Sequence, residues 1–238
     1  MSVIRIYPDE SVDDLLQGEL KLIQKARGYR YSVDALLLAH FVLPVPGLKI
    51  IDLGCAGGVI PLILAKRSNP RGIVGVEIQA SLAGMAKRNV RLNHLEDRIR
   101  IIHRDIKGLP EVFPRASFDL VVSNPPFIPK GTGQICRLRE RAVARHELKI
   151  DLDEIIRISA YLVKPSGKIC LIYPARRLEQ VKERILSERL FPSQLQLAFD
   201  RKGGCARLFC ISAGRKPVSG LKRLGPIYIQ TPAGRFAI

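Results

Sequence analysis

From residue 48 onward the chain alternates short apolar runs with longer stretches of helical period. Leu48–Leu53 (LKIIDL), Gly72–Glu77 (GIVGVE), Ile99–His103 (IRIIH), Phe118–Val122 (FDLVV) and Lys168–Tyr173 (KICLIY) read as strands. Helices are predicted from Val59 (VIPLILAK) and over Ser81–Leu92, Leu152–Val163 and Ala175–Glu188. The first strands are continuously apolar, as strands covered on both faces must be. This alternation predicts an α/β protein with a mainly parallel sheet and helices on both faces. Gln194–Phe199 and Ala206–Ile211, joined by the short turn around Arg201-Lys202-Gly203-Gly204, are predicted as a C-terminal antiparallel strand pair. Upstream, residues 11–43 read as helical with a break near Gly28, and the apolar stretch Val33–Leu43 stops before Pro44. The chain therefore divides into an N-terminal helical extension (1–47), an α/β domain (48–213) and a C-terminal extension (214–238).

Two junctions carry more than folding information. The first strand runs into Asp52-Leu53-Gly54-Cys55-Ala56-Gly57-Gly58, where glycines permit a tight turn and close approach of a ligand to the backbone. The next strand ends on Glu77, about 20 residues on, where a carboxylate can accept hydrogen bonds from both hydroxyls of a ribose. The spacing does not match the dinucleotide fingerprint, and the acidic residue opening the motif suits a cofactor without a pyrophosphate and with a cationic centre. Those properties describe S-adenosylmethionine.

The second junction is Ser123-Asn124-Pro125-Pro126-Phe127, directly after FDLVV. One reading is only a strand stop, since Asn and Pro end elements often. The other is chemistry at the carboxyl edge of the sheet, where open parallel sheets bind ligands. An exocyclic amino group is a poor nucleophile because its lone pair is delocalised into the ring. The Asn124 side-chain oxygen and the Pro125 carbonyl would hold its N–H groups, the paired prolines Pro125 and Pro126 stiffening the loop. Phe127 offers a ring for a flipped base to stack on.

Composition narrows the partners. The 238 residues are 47% hydrophobic, enough for one sizeable core. A net charge of +17 implies a polyanionic partner, most simply nucleic acid. Residues 201–238 carry Arg201, Lys202, Arg207, Arg215, Lys216, Lys222, Arg223 and Arg235 with no acidic residue, and 130–149 is also basic, so the two regions could flank one site and hold phosphates on either side of it. The five cysteines form no CxxC pair and suggest neither a disulfide framework nor a zinc site, so no metal is expected. No secretory signal pattern and no membrane-length apolar run is present, and a cytoplasmic location is expected.

DLGCAGG, GVE and SNPPF together resemble the class I S-adenosylmethionine-dependent methyltransferases that act on a planar amino nitrogen. Asp14-Leu15-Leu16 through Gln24, the run Gly28-Tyr29-Arg30-Tyr31-Ser32-Val33-Asp34-Ala35-Leu36-Leu37-Leu38-Ala39, and Ala144-Arg145-His146-Glu147 are similar to bacterial adenine-N6 methyltransferases that modify valine tRNA beside its anticodon. The resemblance implies a Rossmann-like sheet. It also implies that Asp52, Gly54 and Gly58, with Cys55 in the same loop, line the methionine end of the cofactor. Glu77 would hold the ribose and Asp105 approach the adenine; Tyr31 and Asp34 would close the pocket. Asn124, Pro125, Pro126 and Phe127 would grip the target base, with Asn124 also bordering the cofactor. Asp34 and Asp105 have a plainer alternative as helix caps, and Tyr29 and Tyr31 as packing residues. One departure is Ala56, at a motif position that is usually glycine, which puts the loop geometry in question. The implied activity is methylation of adenine N6 in RNA, with tRNA favoured. Alternatives are a protein glutamine-N5 methyltransferase, an rRNA guanine-N2 or DNA adenine methyltransferase, and a nucleic-acid-binding protein without catalysis.

Overall fold

The apolar runs become the centre of a nine-stranded sheet among the described residues, which in this computed structural model are 4–28, 30–125, 151–231 and 234–235. Strands β3 (Lys49–Leu53), β4 (Gly72–Glu77), β5 (Ile99–His103), β6 (Phe118–Ser123) and β7 (Val163–Pro174) run parallel. Their spatial order is β5-β4-β3-β6-β7. Strand β9 (Ala206–Gly214) pairs antiparallel with β7 and with β8 (Phe191–Phe199), which makes the expected C-terminal antiparallel pair.

Helices cover both faces. α1 (Val33–Val42), α2 (Val59–Arg67) and α3 (Ala80–Leu92) bury Leu37, Leu62 and Ala86 on one side with Ile50 and Leu120. α4 (Leu152–Leu162) and α5 (Leu178–Ser187) bury Ile156 and Val181 on the other, with Ile51 and Val121. Successive residues of β3 and β6 thus enter opposite cores, which is why these strands are apolar throughout. α4 starts on a capping box: the Asp151 carboxylate accepts from Glu154 N–H at 2.9 Å, and Glu154 accepts from Asp151 N–H at 3.4 Å.

The N-terminal segment corrects the sequence reading. Residues 11–43 are not one broken helix. β1 (Glu10–Leu15) and β2 (Leu20–Lys25) form an antiparallel hairpin, and only Val33–Val42 is helical. The expected break near Gly28 is present, between β2 and α1, and a second one lies near Gly18, inside the hairpin. Leu16, Gln17 and Gly18 take φ of 52°, 55° and 90°, a left-handed turn that two non-glycine residues hide in the sequence.

The C-terminal extension lies along the sheet. β10 (Lys222–Arg223) and β11 (Ile227–Tyr228) pair parallel with β8, and Ile229 is buried. Leu224 N–H and Ile229 N–H donate to the carbonyls of Leu195 and Phe199, at 2.8 Å each, so the outer edge of β8 is covered. A short pair, β12 (Gln230–Thr231) with β13 (Gly234–Arg235), follows.

Candidate active site at the carboxyl edge of the sheet

The chain order steps outward through β3, β4 and β5, then returns to the other side of β3 for β6 and β7. A crevice must open where the order reverses, outside the carboxyl ends of β3 and β6. Both sequence junctions lie there. A cleft is lined by Tyr31, Asp52, Asn124 and the loop 54–57.

The glycine loop is stapled to the end of β4. Gly54 and Cys55 N–H both donate to the Val76 carbonyl at 2.9 Å. Gly54 and Gly58 take φ of 80° and 84°, where a side chain would be strained. Ala56 takes φ of 47°, so the alanine keeps the glycine-like backbone and bears the strain itself, about 1–2 kcal/mol for a left-handed residue. Its N–H is fixed by Glu77 Oε2 at 3.0 Å. With alanine at this position the loop takes a left-handed turn whose Ala56 N–H is held by Glu77. The Cys55 thiol lies against Gly75, where an added Cβ would meet it at 2.8 Å. Burial, and then the nearby Asp52 and Glu77, pushes that thiol far up, so it stays protonated.

Two buried carboxylates end β3 and β4. Glu77, 5% exposed, accepts from Ala56 N–H through one oxygen and from Gln79 N–H at 2.8 Å through the other. Burial still pushes its carboxyl up, with these N–H donors pulling the other way. A carboxylate has about four acceptor sites, so Glu77 keeps acceptor capacity beyond these N–H donors. Asp52, 1% exposed, has neither oxygen hydrogen-bonded. Burial, reinforced by Glu77, pushes its carboxyl up to about 8. A buried acid with no partner, at the bottom of a cleft, suits a ligand that brings positive charge and N–H donors.

Asn124 is placed by a residue the sequence reading missed. Backbone pairing of β3 with β6 ends at Asp52 and Val122. Beyond it the fully buried Ser123 hydroxyl donates to the Leu53 carbonyl at 2.7 Å and ties the two strand ends together. Its signal was a polar residue closing an apolar run. Asn124 is half-buried beside the glycine loop and Pro125 is buried.

Other candidates sit as follows. Tyr31 lines the cleft, its N–H held by Gln24 Oε1 at 3.0 Å. Asp34 occupies the first turn of α1; its charge adds, after burial and Cys170, to the upward push on the Cys210 thiol of β9. Asp105 caps the short 3-10 helix Ile106–Glu111, accepting from Lys107 N–H at 3.0 Å, and its second oxygen is spare for a ligand. Pro126, Phe127, Tyr29, residues 144–147 and the basic stretch 130–149 lie outside the described residues. Among the described residues no helix is long and apolar enough to cross a membrane, and no group of three His, Cys, Asp or Glu side chains converges to hold a metal.

A family model for a methyltransferase domain matches residues 44–208. A curated protein of Yersinia pestis (strain Pestoides F), named tRNA1(Val) (adenine(37)-N6)-methyltransferase, is 32% identical over 146 residues, 61% of this chain and 58% of that protein. A protein of the same name from Yersinia pseudotuberculosis (serotype O:1b) gives the same figures. The chain thus spans little more than half the length of these curated relatives. Among solved structures, a predicted O-methyltransferase of Agrobacterium tumefaciens superposes with a TM-score of 0.66 over 86% of this chain and 91% of that one, at 20% identity. Geranyl diphosphate C-methyltransferase of Streptomyces coelicolor, solved with S-adenosyl-L-homocysteine, gives 0.53 over 77% and 79%, at 16% identity. At those identities the likeness is one of fold.

Proposed function

The chain belongs to the family of methyltransferase domains, and from that premise we propose that it transfers a methyl group from S-adenosylmethionine to the N6 amino group of adenine in RNA, specifically in tRNA near the anticodon. The observation that carries the reading is the meeting of Asp52, with both oxygens unpartnered, and Asn124 in one cleft. The curated relatives named for tRNA adenine-N6 methylation support the choice of substrate.

When bound, S-adenosylmethionine supplies a methyl group on a positively charged sulfur and leaves as S-adenosylhomocysteine. Asp52 and the loop at Gly54, Cys55 and Gly58 hold its charged methionine end. Glu77 accepts from the ribose hydroxyls, and Asp105 from the adenine amino group. Tyr31 bounds the pocket from the N-terminal side, and Asp34, in the first turn of α1 beside the lining residue Ala35, would help close it. Asn124 and the Pro125 carbonyl accept the two N–H groups of the target amine and aim its lone pair at the methyl group. Pro126 and Phe127, next in sequence, complete the grip by stiffening the loop and stacking on the base. The amine proton leaves after transfer, so no strong base is required.

Phosphate contacts follow from the charge. The turn between β8 and β9 lies at the same edge as Pro174, the end of β7, and exposes Arg201 and Lys202 beside exposed Arg176 and Arg207. Asp200 neutralises one of these, pairing with Arg207 at 2.9 Å. We assign this surface, with the basic stretch 130–149, to the RNA backbone.

Labelled methyl transfer from S-adenosylmethionine, offered separately to total tRNA, rRNA, DNA and protein and followed by nucleoside analysis, tests the reading. The expected product is N6-methyladenosine in tRNA. Label in protein alone overturns it in favour of a side-chain amide substrate. N2-methylguanosine in rRNA, or methylated adenine in DNA, keeps the chemistry and replaces the substrate.

A further inference from the structure

The free edge of β2 is closed by a helix. Lys21 and Ile23, two residues apart, turn their backbone groups toward α3. Asn93 Oδ1 accepts from Lys21 N–H at 2.8 Å, and its Nδ2 donates to the Lys21 carbonyl at 2.7 Å. One helical turn away, Asn89 does the same for Ile23, at 2.6 and 3.1 Å. Each amide exchanges two bonds with one residue, as a neighbouring antiparallel strand would. Arg88, next to Asn89, adds a two-pronged ion pair to Glu10 of β1, at 2.6 and 2.7 Å.

Asn89 makes one bond that Asn93 does not. Its remaining amide hydrogen goes to the Gly57 carbonyl, in the glycine loop, at 2.9 Å. The equivalent hydrogen of Asn93 stays within α3, on the Asn89 carbonyl. Gln24, beside Ile23 in β2, reaches a second part of the cleft lining, at Tyr31. Its Oε1 accepts from Tyr31 N–H at 3.0 Å while its Nε2 is anchored on Asp13 of β1 at 2.6 Å. Both amides are buried, Asn89 at 0% and Gln24 at 4% exposed, and neither lines the cleft.

We propose that the β1–β2 hairpin is a positioning element of the cofactor cleft, fixing one part of its lining through Asn89 and Gly57 and a second through Gln24 and Tyr31. The inference rests on the reading of that cleft as the S-adenosylmethionine site. The Gly57–Gly58 peptide is held from within the loop by Gly58 N–H on the Cys55 carbonyl at 2.8 Å and from outside it by the Asn89 bond, so losing Asn89 frees one of its two ends. A loop free to take several shapes binds its ligand more weakly by the fraction of time it spends in the competent one. The hairpin thereby sets cofactor affinity without touching the cofactor.

The test compares Asn89→Ala and Gln24→Ala with Asn93→Ala and Arg88→Ala, which cut hairpin anchors but no bond to the cleft lining. Dissociation constants for S-adenosylmethionine, hydrogen exchange over residues 54–58 and Tm are measured together. Asn89→Ala and Gln24→Ala are expected to raise the dissociation constant about tenfold, with kcat at saturating cofactor changed much less. Asn89→Ala should also speed exchange over 54–58. Asn93→Ala and Arg88→Ala should lower Tm yet leave the constant within about twofold. Equal weakening by all four overturns the proposal in favour of general loosening, as does parental affinity in folded Asn89→Ala and Gln24→Ala. If Asn89→Ala does not fold, Gln24→Ala decides by the same criterion. If the parent binds no S-adenosylmethionine, the functional reading fails instead, and exchange over 54–58 in Asn89→Ala against Asn93→Ala still decides this inference.

Discussion

The ends of β3 and β4 carry two carboxylates of nearly equal burial in opposite states. Glu77 is already committed: one oxygen holds Ala56 N–H, the other Gln79 N–H. Asp52, on the adjacent strand, has no hydrogen bond to either oxygen and is pushed up to about 8. An uncompensated buried charge is costly, so the free protein holds Asp52 protonated at neutral pH. The contrast separates two tasks. Glu77 holds the loop at Ala56 before any ligand arrives, and under the proposed function its remaining acceptor capacity would read the ligand. Asp52 is left unsatisfied by the protein, and under the proposed function a cationic ligand would restore its charge.

Breaking the organised side should have the larger effect. Glu77→Ala removes the loop anchor at Ala56, the local bond to Gln79 N–H and both proposed ribose contacts. Hydrogen bonds to a charged group contribute about 1.5–3 kcal/mol each, so the cofactor dissociation constant should rise by at least about a hundredfold in calorimetry. A change within threefold would mean that Glu77 only shapes the loop.

Asp52 gives a pH signature of definite sign. Its folded-state value of about 8 lies above the ordinary 3.8. Its contribution to stability is therefore complete below the unfolded value and lost as pH rises through the folded one. In the absence of cofactor, Tm of the parent should fall across that window relative to Asp52→Asn. Parallel Tm profiles for the two proteins would show that Asp52 is ionised throughout and partnered by something else.

The smallest effect is expected at Ala56. Glycine there relieves about 1–2 kcal/mol of left-handed strain, but its freer unfolded chain returns about 0.4–1 kcal/mol. Ala56→Gly should shift the denaturation midpoint little and leave cofactor affinity unchanged. A large loss of affinity would show that the alanine methyl itself contacts the ligand.

The same contrast marks what the sequence could show. The sheet was legible because each central strand is buried on both faces and so is apolar throughout. The crevice was legible because Asp52, Gly54, Glu77 and Asn124 each follow such a run, and runs of that kind end at one edge. The hairpin was not. Its turn uses Leu16 and Gln17 at positive φ, residues that announce no turn, and its mixed polarity imitates a helix. Ser123, Gln24 and Asn89 were missed for a further reason. They act by side-chain bonds to backbone, and for Ser123 and Asn89 the partners are far off in the chain, Leu53 and Ile23. The one local trace is an asparagine at position 89 on the buried face of α3, between Ala86 and Val90.

Whether Asp52 waits for a positively charged ligand is read from the proton balance of S-adenosylmethionine binding. Titration calorimetry near neutral pH, in two buffers of different ionisation enthalpy, measures it. The parent should release about one proton more per bound cofactor than Asp52→Asn does. Equal proton release by the two proteins would contradict it.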